Sequence, residues 1–250
     1  MLIDLKGKTV LVTGASSGIG KQIAIELAAA GAAVAVHYNI HKNEAVELAV
    51  KLGNGSKAFN ADLGIVEAAV SLFDTVVEEY GRVDVLVNNA GIFEPCPVEN
   101  PMEEWLDSWE RTLTVNLTST GILCRAAIRH FMEKGGGRIV NIASRAAFRG
   151  ETKDYLAYAA SKGGMVSLSR SIARSFGKKG VKSFVIAPGF VRTPMAEGII
   201  DEEVVIRTEL ALGEMTTPGD VAPLVVLMAS GKLDHATGST VDINAGSYMR

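Results

Sequence analysis

Thr13-Gly14-Ala15-Ser16-Ser17-Gly18-Ile19-Gly20 closes a strand-like run, Thr9 to Thr13 (TVLVT), and opens a stretch of helical character, Ile19 to Ala30. Glycines in such a place permit a sharp turn and let backbone N–H groups approach a pyrophosphate, which then sits at the positive end of a helix. The spacing is Gly-x-x-x-Gly-x-Gly. A glycine pattern alone is weak, because any tight turn can carry one; its position between a first strand and a first helix gives it meaning. The turn therefore reads as a phosphate site made by Gly14, Ser16, Ser17, Gly18, Ile19 and Gly20.

The same alternation continues along the chain. Ala32 to Tyr38, Ser56 to Asp62, Val83 to Ala90, Arg138 to Ser144, Val181 to Ala187 and Ser239 to Asn244 are short, Val- and Ile-rich and nearly continuous in hydrophobicity, as strands covered on both faces should be. Between them Asn43 to Lys51, Ile65 to Tyr80, Glu103 to Glu133, Asp154 to Phe176 and Gly219 to Ser230 read as helices, with Gly31, Gly53, Gly81 and Gly177 at the places of C-terminal caps. Strict strand–helix alternation requires right-handed crossovers and one parallel sheet. The expected fold is α/β: a single-domain, Rossmann-type, doubly wound parallel sheet of about seven strands with helices on both faces, covering 1–250. Residues 190–217 fall between a strand and a helix and are too long for an ordinary loop, which suggests a substrate lid with its own short helices.

Composition narrows the function classes. At 250 residues the chain is long enough for a sizeable core, and 48% hydrophobic with 21% charged residues is globular. Glycine is in excess, 26 where average usage gives about 17, while proline is ordinary at 7. A net charge of -3 and a pI near 5.9 argue against a nucleic-acid binder, which needs a strongly basic face. Cys96 and Cys124 form no Cys-x-x-Cys pair, and the histidines show no ligand spacing, so neither a disulfide framework nor a metal site is expected. Met1 to Lys8 mixes Asp4, Lys6 and Lys8 among its apolar residues, unlike a signal peptide, and no apolar run is long enough to span a membrane; a cytoplasmic protein is expected.

In a unit of this kind the residue ending the second strand meets the adenine ribose, and a carboxylate there selects NAD over NADP. Tyr38 and Asn39 hold that place, with His41 and Lys42 after them. No acid is present, while Lys42, His41, Ser16 and Ser17 offer donors to a 2'-phosphate, so NADP(H) is expected to be preferred, with NAD(H) possible. Further along, Tyr158 and Lys162 stand four residues apart, one helical turn from each other. A nearby ammonium favours phenolate and lowers a tyrosine pKa, which suits a general acid for a carbonyl oxygen. Tyr38 and Lys42 make the same pair, so spacing alone does not decide. What distinguishes Tyr158 is Ser144, which ends the fifth strand at the carboxyl edge where doubly wound sheets hold ligands.

Taken together, Thr13 to Gly20, Asp62, Asn88-Asn89-Ala90-Gly91, Asn116, Ser144, Tyr158-x-x-x-Lys162 and Pro188-Gly189 with Thr193 resemble the short-chain dehydrogenase/reductases over essentially the whole chain. The resemblance implies an NAD(P)(H)-dependent enzyme interconverting a carbonyl and a secondary alcohol. Tyr158 would exchange a proton with the substrate oxygen and Ser144 would hydrogen-bond it. Lys162 would hold the nicotinamide ribose and depress the Tyr158 pKa, and Asn116 would help hold a water chain. It further implies that Asp62 and Leu63 contact adenine, that Asn89, Ala90 and Gly91 admit the dinucleotide at the fourth strand end, and that Pro188, Gly189, Val191 and Thr193 meet the carboxamide side.

Within that family the chain looks most like the 3-oxoacyl-acyl-carrier-protein reductases, through Val241 to Met249 and Pro188 to Thr193. An acidic acyl carrier protein would then dock on Arg129 and Arg174; the helices Glu103 to Glu133 and Asp154 to Phe176 resemble the family's dimer-forming pair and the C-terminal segment its second interface, implying a homotetramer. Arg145 and Arg149 depart from that reductase, where small residues are expected, and no arginine occupies the Ser17 position. A sugar or secondary-alcohol dehydrogenase is the alternative, and a catalytically silent dinucleotide sensor a third reading from another class. The substrate pocket is expected between Arg145 and Tyr155 and between Phe190 and Leu212.

Overall fold

A computed structural model describes residues 3–195 and 201–250. Seven parallel strands form one sheet: β1 (Thr9–Val12), β2 (Ala33–Tyr38), β3 (Lys57–Asn60), β4 (Val85–Asn88), β5 (Gly137–Ile142), β6 (Val181–Pro188) and β7 (Thr240–Ile243). Their order is β3-β2-β1-β4-β5-β6-β7. The register sets Val10 beside both Val34 and Val85, and Leu11 beside Ala35 and Leu86. Because side chains alternate across a strand, each of these rows feeds a different face.

Val10, Val12, Val34, Val36, Val85 and Val87 pack with Ile23 and Leu27 of α1 (Gly18–Ala29), Leu48 of α2 (Lys42–Leu52) and Val221 and Val225 of α9 (Pro218–Ala229). Leu11, Ala35, Leu86 and Ile139 pack on the opposite face. There they meet Phe73 of α3 (Val66–Tyr80), Leu123 and Phe131 of α5 (Ser119–Glu133), and Ile172 of α7 (Leu156–Phe176). A sheet buried on both sides explains why its strands read as unbroken hydrophobic runs. No helix among the described residues is long and apolar enough to cross a membrane, and both cysteines are buried thiols.

Two expectations from sequence need correction. The helix expected from Glu103 to Glu133 is divided into α4 (Met102–Leu113), a π turn at Thr114–Thr118 and α5. The helix expected from Asp154 begins with a 3-10 turn, Lys153–Tyr155, before α7. Gly177 does cap α7, in a right-handed conformation that leads into a further 3-10 turn, Gly177–Lys179, which Gly180 ends at φ 85°. Two short helices escaped the periodicity: α6 (Ala146–Arg149), and α8 (Glu202–Thr208) within the expected lid. Of that lid, residues 196–200 lie outside the described residues, as do Met1 and Leu2.

Candidate active site

β1 and β4 are neighbours in the sheet but their following helices pass to opposite faces, so a crevice opens at their carboxyl ends. There lies a cavity of about 610 Å³, running from the Gly14–Ile19 turn to Ser144, Tyr158 and Phe190. At the turn, Gly14 (φ 61°) and Gly18 (φ 53°) adopt the left-handed backbone that glycine reaches without strain, and the first turn of α1 holds no acidic residue to compete with a phosphate. Gly20 does not line the cavity; a Cβ there would overlap the Gly14 carbonyl oxygen, so its role is to let α1 close on the turn.

The turn is held from two sides. From β4, the Asn89 amide donates to the carbonyls of Thr13 (2.9 Å) and Gly14 (3.1 Å), while Thr13 Oγ1 accepts from the N–H groups of Asn89 and Ala90. From β2, the buried His37 accepts the Gly14 N–H at Nδ1 (3.0 Å), which leaves the proton on Nε2 to donate to Ala61 O (3.0 Å). Burial outweighs that bond and the nearby Asp62 and lowers the His37 pKa to about 4. Sequence reading gave neither Thr13 nor His37 a separate role. The signal available was strand alternation, since His37 and Asn39 share a face.

That alternation also overturns one expected contact. Tyr38 packs in the core with Val12, Val36 and Leu48 and is not in the cavity wall; His37, Asn39, Ile40 and His41 are, together with Ser16 and Ser17. Lys42 is not in the wall. Asp62 and Leu63 are, with Asp62 Oδ1 accepting the Gly64 N–H. Asn89, Ala90, Gly91, Pro188, Gly189, Val191 and Thr193 also line it.

At the other end, α7 carries Tyr158 and Lys162 one turn apart, and β5 delivers Ser144 beside them. Phe93 stacks on Tyr155 (4.0 Å) and meets the Tyr158 ring edge-on at 4.8 Å, which fixes the phenol's direction. Loss of hydration pushes the Tyr158 pKa up to about 12, outweighing the neighbouring Ser144 hydroxyl, which draws it down, while Glu151 adds to the rise. The expected depression by Lys162 is therefore not the state of the chain alone. Lys162 Nζ donates to Ile142 O (2.9 Å) and lies 5.7 Å from the Tyr158 ring centroid, and burial lowers its own pKa to about 8.

Asn116 sits in the π turn, fully buried and outside the cavity wall. Its Nδ2 hydrogens go to Ile92 O (3.0 Å) and Ser161 Oγ (3.2 Å), and Oδ1 accepts the Ile92 N–H (2.8 Å). Both amide donors are thus spent on protein, so the side chain fixes the backbone at Ile92 and presents no free donor to a water chain.

A glycine-cradled helix end at one extreme and a phenol, hydroxyl and ammonium at the other fit a dinucleotide lying across strand ends. A family model described as short chain dehydrogenase matches residues 8–204. The chain is a short-chain dehydrogenase. It is an oxidoreductase acting between an alcohol and a carbonyl with a nicotinamide dinucleotide. It is 34% identical over 248 residues to the 3-oxoacyl-[acyl-carrier-protein] reductase FabG of Vibrio cholerae, covering 99% of this chain and 100% of that one. It is 31% identical over 251 residues to the 2-dehydro-3-deoxy-D-gluconate 5-dehydrogenase of Escherichia coli, covering 99% and 98%. A short chain dehydrogenase from Burkholderia cenocepacia, solved in complex with NADP, superposes with a TM-score of 0.88 at 33% identity, covering 97% and 98%.

In this short-chain dehydrogenase the least anticipated part of the wall follows Ser144. Arg145 is buried with its guanidinium carbon 3.7 Å from the Phe190 ring centroid, and Arg149 pairs with Glu209, just past α8, at 2.7 Å. Glu151 and Phe93 complete the lining near Tyr158.

Proposed function

We propose that the chain interconverts a carbonyl and a secondary alcohol on a small polar molecule in a reducing cytoplasm, with NADP(H) as the preferred dinucleotide. The observation that carries this reading is the meeting of Tyr158, Ser144 and Lys162 at one end of a cavity whose other end is the glycine turn. When bound, the dinucleotide supplies a hydride for reduction or accepts one in oxidation. Gly14, Ser16, Ser17, Gly18 and Ile19 would hold its pyrophosphate, Asn39, Asp62 and Leu63 its adenosine, and Asn89 to Gly91 with Lys162, Pro188, Gly189, Val191 and Thr193 its nicotinamide half. Asn39, His41 and the two serines offer a 2'-phosphate hydrogen-bond donors, and neither Tyr38 nor Asn39 at the end of the second strand is a carboxylate.

In reduction the neutral phenol, kept protonated by burial, gives its Oη proton to the substrate oxygen as charge develops there, and Ser144 Oγ donates a second hydrogen bond to that oxygen. The phenolate left behind lies close to the Lys162 ammonium, which stabilises it until a proton returns. In oxidation the same phenolate removes the alcohol proton. Phe93 keeps the ring aimed throughout.

A second reading, reduction of a 3-oxoacyl group presented on an acyl carrier protein, has its own support. The Vibrio cholerae relative bears that name, and Arg129 and Arg174 are exposed with no acidic partner among the described residues. We place it second because the buried Arg145 cation lies in the wall beside Ser144, where an aliphatic acyl chain would leave it unsolvated.

Tyr158→Phe tests the reading. It is expected to cut kcat by about 100-fold or more while NADPH affinity stays within about threefold, measured by fluorescence titration. Unimpaired turnover would sink the reading. Wild-type kcat/KM with NADPH against NADH, using acetoacetyl thioesters, ketoses and oxo acids in parallel, separates cofactor preference and substrate class. Equal efficiency with the two dinucleotides would refute the NADP preference.

A further inference from the structure

Arg145 is 4% exposed, yet its one side-chain hydrogen bond among the described residues is long, 3.4 Å from Nη1 to Glu209 Oε2. Glu209 is held instead by Arg149 at 2.7 Å, and mainly this bond keeps its carboxyl below the usual range. Arginine has five N–H donors and stays charged in proteins. One weak acceptor leaves most of them without a partner among the described residues, and since no Arg145 nitrogen is among the fully buried unpaired atoms, the free donors are left to the cavity that Arg145 lines.

The remaining geometry points at a ligand. Arg145 shares the wall with Ser144, Tyr158 and Phe190, and its guanidinium face is covered by the Phe190 ring. Stacking occupies the face and leaves the N–H edge, which matches the two oxygens of a carboxylate in a fork. The charges acting on Arg145 are Arg149, Glu209 and Glu151, and Lys162 stands in the same wall beside Tyr158. Two arginines balance two glutamates and Lys162 adds a positive charge, so a monoanion would meet no net repulsion.

We propose that Arg145 is the specificity-determining residue of this site, forking onto the carboxylate of a hydroxy or oxo acid whose reacting carbon lies at Ser144 and Tyr158. The proposal rests on the oxidoreductase reading above and narrows its substrate to carboxylic acids. Because Arg145 directly follows Ser144, the carboxylate and the reacting carbon belong to one short molecule, a hydroxy acid of a few carbons or a sugar acid.

The test uses full-length protein loaded with NADPH, which cannot oxidise an alcohol, and calorimetry with two acid and amide pairs. These are 3-hydroxybutyrate with 3-hydroxybutyramide and D-gluconate with D-gluconamide. At least one acid is expected to bind about tenfold or more tightly than its amide, the scale of a hydrogen bond to a charged group. Arg145→Met should remove that preference without changing amide binding. Arg145→Lys, which keeps the charge and loses the fork, should keep part of it and covers the case in which the methionine variant fails to fold. Tyr158→Phe should keep the preference while losing NADPH formation from NADP and the acid. Equal binding of acid and amide, no binding of either, or a preference that survives Arg145→Met overturns the proposal. An Arg145-dependent preference without turnover by the wild type upholds the anion site and overturns the reading that a small polar molecule held there is the substrate, so the two fail separately.

Discussion

His37 shows how a residue remote from the reaction can govern the dinucleotide end. Its neutral Nδ1 accepts the Gly14 N–H, and a protonated ring would lose that acceptor. In the unfolded chain histidine titrates near 6.5, whereas here burial holds it to about 4. Between those values the unfolded state binds more protons, so stability falls as pH drops from about 6.5 to about 4, by up to about 3 kcal/mol. Urea unfolding at pH 7 and pH 4.5 checks this: the wild type should lose clearly more stability than His37→Gln over the interval. Equal losses would show that His37 is not the group responsible. A one-residue step in β2 explains why sequence reading chose its neighbour. Tyr38 ends the strand as the position rule requires, but period-two alternation turns its side chain to the core and gives the cavity His37 and Asn39.

Among the elements, the π turn between α4 and α5 is where helix geometry yields to the site. One extra residue in the turn widens the backbone there, and Asn116 uses that position to bond both backbone groups of Ile92. Asn116→Ala should therefore leave the Ile92 N–H and C=O without these partners and destabilise the chain by about 2 to 4 kcal/mol, read as a lowered urea midpoint, with weaker NADPH binding through the loosened backbone at Ile92. A change under about 0.5 kcal/mol would show that water replaces the amide at no cost. The strands and most helices were legible in sequence because each strand is a hydrophobic run and each helix carries its own period. The division of 103–133 was not, since Thr114 to Thr118 reads as ordinary helix and only the contact with Ile92 selects the wider turn. Likewise α6 and α8, four and seven residues long, are too short to show a period. Ser144, Tyr158 and Lys162 were identified by chain order and sheet edge, whereas Arg145 drew attention only as a departure, its partners Phe190 and Glu209 being far along the chain.

For the molecule as a whole, Val98, Met102 and Leu106 are exposed on and before α4, with Leu156 exposed at the start of α7. Several apolar side chains on packed neighbouring helices are expected to be covered by another copy. If the chain forms the homotetramer that the family resemblance implies, light scattering should give four times the chain mass of 26.4 kDa, and Leu106→Glu should shift the population to smaller species. A monomer at micromolar concentration would defeat the tetramer.

The strand order has a consequence in time. β1 lies inside the sheet, yet its second neighbour, the central strand β4, begins at Val85, and β6 and β7 close the far side only from Val181 onward. Every pairing in a parallel sheet spans a crossover, so early segments wait for late ones, and such topologies fold slowly. As the chain leaves the ribosome, the glycine turn emerges long before Asn89 can clamp it and before Tyr158 exists. The growing polypeptide therefore passes most of its synthesis without a closed nucleotide cleft, and aggregation-exposed strand edges in that interval, more than the finished fold, should set how much active protein a cell obtains.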